Sequence, residues 1–221
     1  GINFTARAGE MVAIVGPTGS GKTTIIQLLT RFYDTTGGRI LLDGEPITNY
    51  KMTNVRDHVG VVLQDTYLFS GTVRENIRFG KLDATDEEVE QAAKIAYAHN
   101  FIKYLPQQYD TMLTSGGMNL SQGQRQLIAI ARAILEDPDI LILDEATSSV
   151  DTMTEVHIQK GLNNLMKGRT SFVIAHRLKT IENADTILVL KDGQILESGN
   201  HDILMNKGGF YATLQNNLAM E

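Results

Sequence analysis

The chain contains no cysteine, which excludes disulfides, thiol catalysis and cysteine-ligated zinc. That fits a reducing compartment. It has no excess of positive charge: 20 Lys+Arg against 26 Asp+Glu leave a formal net charge of −6, with no basic cluster. Direct nucleic-acid binding is therefore a poor expectation, because the phosphate backbone is held chiefly by Lys and Arg. Proline is scarce, four residues against 20 glycines, a globular rather than a low-complexity proportion. No apolar run approaches the roughly 20 residues that a membrane helix needs. The apolar runs present, such as Ile140 to Leu143, are strand-sized. There is no signal-peptide pattern. The chain opens Gly1-Ile2-Asn3-Phe4 with no Met, and the expectation is a piece of something longer. At 221 residues, 42% of them apolar, it is long enough to bury a core as one large domain or two small ones.

Short β-rich runs alternate with helical spacings. Met11 to Val15 reads as a buried strand running into a glycine-rich loop. Ile25, Ile26, Leu28, Leu29 and Phe32 then recur at helical spacing over Thr23 to Phe32, with Gly37-Gly38 as the stop. Further strands are expected at Ile40 to Leu42, Val59 to Leu63, Ile140 to Leu143, Ser171 to Ala175 and Thr186 to Leu190. Phe4 also reads as part of a strand. Lys191-Asp192-Gly193-Gln194 suits a two-residue hairpin. Between about 70 and 136 the character turns helical. Thr85-Asp86-Glu87-Glu88 is a capping box before a helix face of Val89, Ala92, Ala93 and Ala96. Phe101, Ile102 and Leu105 continue helically until Pro106. Leu127, Ile128, Ala131, Ile134 and Leu135 mark a second amphipathic helix. The reading is an α/β sheet protein interrupted by a helical insert.

Gly16-Pro17-Thr18-Gly19-Ser20-Gly21-Lys22-Thr23 fits the phosphate-loop pattern G-x-x-x-x-G-K-S/T, after a strand and before a helix as that pattern requires. Glycines let successive N–H groups turn inward onto phosphate oxygens, and the helix start adds positive potential. Lys22 can reach the outer phosphates and the Thr23 hydroxyl can ligate Mg²⁺. Thr24 adjoins them. Ile140-Leu141-Ile142-Leu143-Asp144-Glu145 is an apolar strand ending in two carboxylates. By itself that pair suits a helix cap equally well. Beside a phosphate loop, Asp144 is expected in the Mg²⁺ shell and Glu145 as general base toward the attacking water.

Asn119-Leu120-Ser121-Gln122-Gly123-Gln124-Arg125-Gln126 closely resembles the signature motif of ABC ATPases, usually written LSGGQ. Other elements of that family fall in order around it. Gln64 resembles the Q-loop glutamine, Ser149-Val150-Asp151 the D-loop, and His176 the switch histidine. Leu68 to Ile77 further resembles ABC exporters. The resemblance implies a phosphate-loop, RecA-like core with a mainly parallel sheet, a small antiparallel β part and an inserted helical subdomain. One ABC ATPase domain is then expected over 1–221, its core at 1–69 and 137–221, and the helical part with the signature motif at 70–136.

The resemblance also implies a mechanism. Two such domains sandwich two ATP molecules head to tail, each between one subunit's phosphate loop and the other's signature motif. The loop residues Gly16 to Thr24 bind nucleotide. Ser121, Gln122, Gly123 and Gln124 face ATP in trans. Glu145 polarises water, His176 contacts the γ-phosphate, and Gln64 senses metal and water. Thr23, Gln64 and Asp144 serve Mg²⁺. Asp151 works across the dimer interface. The implied partners are a second nucleotide-binding domain and transmembrane domains, at the cytoplasmic face of a membrane. Gln122 departs from the usual glycine, which suits half of a heterodimer, and heterodimer and homodimer both stand open. No aromatic residue is assigned to stack adenine. A soluble ABC ATPase of DNA repair or translation lacks support, since no long coiled coil separates phosphate loop and signature. A gating subunit that does not hydrolyse is opposed by Glu145.

Overall fold

A strand with apolar residues at every position must be covered on both faces, and that requirement organises the structure. The computed structural model describes residues 1–63, 65–145, 150–176 and 178–218. In chain order the elements are β1 (Met11–Val15), α1 (Lys22–Leu29), β2 (Leu41–Leu42), β3 (Glu45–Pro46), α2 (Met52–Asp57) and β4 (Val59–Val62). Then come β5 (Gly71–Thr72), α3 (Val73–Arg78), α4 (Asp86–Ile95), α5 (His99–Ile102), β6 (Met112–Leu113) and α6 (Gln122–Glu136). The last are β7 (Ile140–Asp144), α7 (Thr152–Met166), β8 (Thr170–Ile174), α8 (Leu178–Glu182), β9 (Thr186–Lys191), β10 (Gln194–Gly199), α9 (His201–Lys207) and α10 (Phe210–Leu218). The chain divides into two units: Gly1–Val59, Asp139–Thr147 and Arg169–Glu221 form the first, Gly60–Pro138 and Ser148–Gly168 the second.

The first unit is built on a sheet in the order β10-β9-β1-β8-β7, with β4, which begins at Val59, as its sixth strand. β1 lies parallel to both β8 and β9, and β7 is parallel to β8. Val12, Ile142, Phe172, Ile174 and Leu188 from four strands pack with Ile26 of α1 and Val55 of α2 as the core. β10 runs antiparallel to its neighbour, β9. The joining turn has positive φ at Asp192 (50°) and Gly193 (74°), the combination that a two-residue hairpin demands. The fold is thus α/β with a mainly parallel sheet and small antiparallel pairs at β2–β3 and β5–β6.

Two local expectations are corrected. The helix expected to reach Phe32 stops at Leu29. Arg31 takes φ of 54°, its N–H donates to the Leu28 carbonyl at 3.1 Å, and the Phe32 N–H donates to the Gln27 carbonyl at 2.8 Å. That is a Schellman closure, reached before Gly37-Gly38. Phe4 belongs to no strand. Its ring packs edge-on against Phe172, centroids 6.3 Å apart, so its apolar character serves core cover rather than a sheet ladder.

The second unit is helical, with α3, α4, α6 and α7 as its main body. Thr72, Thr85 and Ser121 each form a complete capping box at a helix start. Buried Asn76 ties the chain after β4 to α3: its amide accepts from the Phe69 N–H at 2.8 Å and donates to the Phe69 and Thr72 carbonyls, each at 3.0 Å. The Arg132 guanidinium lies 5.5 Å over both the Phe69 and Phe79 rings. Among the described residues no helix is long and apolar enough to cross a membrane.

The Thr85 box yields a direct test. Thr85→Ala removes the hydroxyl that accepts from the Glu88 N–H at 3.2 Å. The expected loss is about 1 kcal/mol. Calorimetry should show a midpoint lower by roughly 2–4 °C for a chain of this length.

Candidate active site

Ile14, Ile174 and Asp144 lie side by side on β1, β8 and β7, with Ile14 paired to Ile174 and Ile174 to Asp144. Parallel strands end at one edge, so the residues beyond this row emerge together: Val15-Gly16, Ala175-His176 and Glu145. Two further bonds keep them level. The Ala175 N–H donates to the Ile14 carbonyl at 3.3 Å, and the Glu145 N–H to the Ile174 carbonyl at 3.1 Å. The carboxyl edge of a parallel sheet is where α/β proteins bind ligands.

The glycine-rich loop leaves this edge at Gly16. Its φ is 150°, and a Cβ there would run into the Leu190 carbonyl. Only glycine lets the chain turn so close to β9. Pro17, Thr18 and Gly19 are exposed, and Gly21 caps α1 in the left-handed region. Lys22 curls back, donating from Nζ to the carbonyls of Gly16 at 2.7 Å and Pro17 at 3.0 Å. Burial pulls its pKa below the ordinary lysine value, and the nearby Asp144 carboxylate opposes that shift. The Ser20 hydroxyl is buried and has no hydrogen-bond partner among the described residues. The Ser20 carbonyl accepts from the Gly193 N–H at 3.1 Å, which braces the loop against the β9–β10 turn. Thr23 and Thr24 are exposed on the first turn of α1.

The two carboxylates after β7 have different surroundings. Asp144 is half-buried, whereas Glu145 is only 3% exposed. Glu145 Oε2 accepts from the backbone N–H of His176 at 3.3 Å. Its Oε1 accepts from the Thr180 hydroxyl at 2.5 Å. His176 itself is exposed. Sequence reasoning did not find Thr180, because a lone threonine 35 positions from its partner carries no motif. Gln64 and Ser149 lie outside the described residues.

In the second unit, the signature segment opens α6. The Ser121 hydroxyl accepts from the Gln124 N–H at 3.2 Å, and the Gln124 side chain accepts from the Ser121 N–H at 3.0 Å. Gln124 is thus engaged in the cap, while the Ser121 O–H proton stays available as a donor. Gln122 is half-buried at the first helical position. Gly123 is buried, and a Cβ on it would lie 2.5 Å from Thr154 Cγ2 and 2.8 Å from Val150 Cγ1. The signature glycine is therefore a packing requirement between α6 and the start of α7. Asp151 caps α7, accepting from the Thr154 N–H at 3.0 Å. Hydrogen bonds from the Thr154 hydroxyl and N–H hold its carboxyl below the usual range. Thr154 so presents its hydroxyl to Asp151 and its methyl toward Gly123.

The remaining histidines have partners within the fold. Nδ1 of His58 is 2.6 Å from Asp139, that of His99 is 2.8 Å from the Tyr109 hydroxyl, and that of His201 is 2.8 Å from the Tyr211 hydroxyl. His157 stacks on Tyr97. No cluster of three His, Cys, Asp or Glu suited to a metal exists among the described residues.

A mainly parallel sheet, a strand–glycine loop–helix unit at its carboxyl edge, and carboxylates from an apolar strand two places along define a phosphate-loop nucleotide-binding α/β protein. The family model for ABC transporters matches residues 1–148, and the chain belongs to that family. It is 58% identical over 213 residues to the "Uncharacterized ABC transporter ATP-binding protein YfiC" of Bacillus subtilis, covering 96% of this chain and 35% of that protein. It is 52% identical over 213 residues to the "ATP-dependent lipid A-core flippase" of Syntrophus aciditrophicus, again 96% of this chain and 35% of the relative. Among solved structures, a bacterial Atm1-family ABC exporter with ATP bound matches all of this chain and 39% of its own, with a TM-score of 0.93 at 46% identity. The chain thus spans about a third of the length of these relatives, and corresponds to their ATP-binding, ATPase-class part.

Lys22→Ala removes the cation at the centre of the loop. A charge-assisted hydrogen bond contributes about 1.5–3 kcal/mol, so MgATP affinity should fall roughly 10- to 100-fold. Titration with a fluorescent ATP analogue checks this, and unchanged affinity refutes the loop's role.

Proposed function

We propose that this chain is the ATP-hydrolysing domain of an ABC exporter, working as half of a head-to-tail sandwich whose closure and opening drive attached membrane domains. The observation that carries the proposal is the level row Ile14–Ile174–Asp144. It delivers a phosphate loop, a histidine and a buried carboxylate to one sheet edge.

The roles follow from the geometry and the family. The triphosphate lies over Gly16 to Thr24, and Lys22 exchanges the carbonyls of Gly16 and Pro17 for outer phosphate oxygens. Glu145 accepts the proton of the water that attacks the γ-phosphorus. His176 contacts the γ-phosphate. Ser121 of a second domain donates its O–H to the same group, aided by the positive N-terminal end of α6. Gln122, Gly123 and Gln124 shape that end, and Asp151 stands beside it at the interface. Loss of the γ-phosphate removes the charge that holds the halves together.

The donors also fit Mg²⁺. The Thr23 hydroxyl and the Asp144 carboxylate are hard oxygen ligands. The Asp144 carboxylate opposes the lowering of the Lys22 pKa by burial, which supports its place beside the loop. Gln64 completes the proposed set. The ion supplies charge neutralisation on the phosphates. The second domain is either an identical copy or a homologous chain. The transmembrane domains hold the protein at the cytoplasmic face of a membrane. The names of the relatives, a lipid A-core flippase and an Atm1-family exporter among them, support an export direction.

The test is the rate of MgATP hydrolysis against protein concentration, with Glu145→Gln in parallel. A rate rising with about the square of concentration supports the sandwich, and a strictly linear rise overturns it. Loss of a general base costs roughly 10²- to 10⁴-fold. A Glu145→Gln chain as fast as the parent overturns the role of Glu145.

A further inference from the structure

One oxygen of the Glu145 carboxylate is held by Thr180, which no sequence motif marks. Glu145 is 3% exposed and Thr180 is 4% exposed, so their 2.5 Å hydrogen bond is shielded from water. The second carboxylate oxygen takes the His176 N–H at 3.3 Å, and the Glu145 N–H reaches Ile174 at 3.1 Å. Glu145 is therefore fastened, by main chain and side chain, to the stretch that runs from the end of β8 into α8. Ile181 and Ala184, at 1% and 5% exposure, anchor that stretch in the core.

We propose that Thr180 is a positioning residue for ATP hydrolysis: its hydroxyl orients the Glu145 carboxylate, whose other oxygen is held by the His176 N–H. The inference rests on the reading of Glu145 as general base. A glutamate's terminal torsion is soft, with a broad, two-fold preference, so burial alone does not aim its oxygens. A donor to each oxygen does. A hydroxyl donating to a carboxylate is among the shorter and stronger hydrogen bonds, and a buried carboxylate needs such partners. The two donors come from the His176 N–H and from the Thr180 hydroxyl, four residues later, so each carboxylate oxygen is held in a set direction.

The experiment compares Thr180→Val, which keeps the shape and loses the donor, with Thr180→Ser, which keeps the donor. Both are measured in the assembly that turns over, whether that is this chain's own dimer or the whole transporter. Small misplacements of a catalytic group cost up to about 100-fold. We expect kcat of Thr180→Val to fall roughly 10- to 100-fold, with KM and ATP affinity close to the parent and Thr180→Ser near parental turnover. Should the valine variant fail to fold, Thr180→Ala replaces it, with the same expectation. Parental kcat in Thr180→Val overturns the proposal. Equal losses in the serine and valine variants also overturn it, as does a loss that tracks ATP affinity. Glu145→Gln in the same assay separates the two levels. If it is inactive while Thr180→Val is normal, only the positioning role fails. If it turns over like the parent, the general-base reading itself fails.

Discussion

The level ending of three parallel strands is the constraint on which the site depends. Because Ile14, Ile174 and Asp144 share one row, the chain need only continue one or two residues past each strand to assemble a phosphate loop, a histidine and two carboxylates. The apolar strands hold that register. A slip of one residue in β7 would exchange Asp144 and Glu145 between faces, putting a carboxylate where Leu143 now packs. The same buried ladder that stabilises the first unit therefore also fixes which carboxylate faces the loop and which is enclosed.

Much of this was legible in the sequence because the informative patterns are local. Met11 to Val15 coincides with β1, and Thr186 to Leu190 falls short of β9 by one residue. Met11 to Val15 and Ile187 to Leu190 are uninterrupted apolar runs that suit a buried parallel sheet. Asp192-Gly193 and the Thr85 box are short-range chemistry, and the structure has both. The misreadings were also local. Gly37-Gly38 looked like the stop for α1, but a Schellman closure at Arg31, a residue with no obvious turn preference, came first. Phe4 looked like strand because burial and pairing both favour aromatic residues, and composition does not separate them.

What the sequence concealed were contacts between distant segments. Gly123 was legible as part of a signature, but not the reason for it, which is the close approach of Thr154 and Val150. Ser121 and Gln124 are legible as a motif, and their reciprocal cap is the same local chemistry as the Thr85 box. The buried Asn76 and its bonds to the Phe69 backbone depend on a turn that no periodicity announces. Contacts of this kind, local or distant, fix the orientation of groups whose identity short motifs reveal.

A consequence for energetics lies in Lys22. Its ammonium already donates to two backbone carbonyls, so under the proposed binding mode a phosphate would exchange these hydrogen bonds instead of adding to them. The net gain is the difference between a phosphate anion and two neutral carbonyls as acceptors. Both kinds of bond have an ionised donor, so the gain comes from the acceptor, an anion in place of neutral carbonyl dipoles. Burial also makes the lysine's charge costly where it stands, as its lowered pKa records. An arriving polyanion relieves that cost, while Asp144 alone offsets it only in part. Meanwhile the loop's curvature, set by Gly16 against Leu190 and by Gly193 against the Ser20 carbonyl, does not have to form on binding. The loop is shaped beforehand and its one cation is held in reserve by weaker partners, an arrangement that favours a multiply charged phosphate over a neutral ligand.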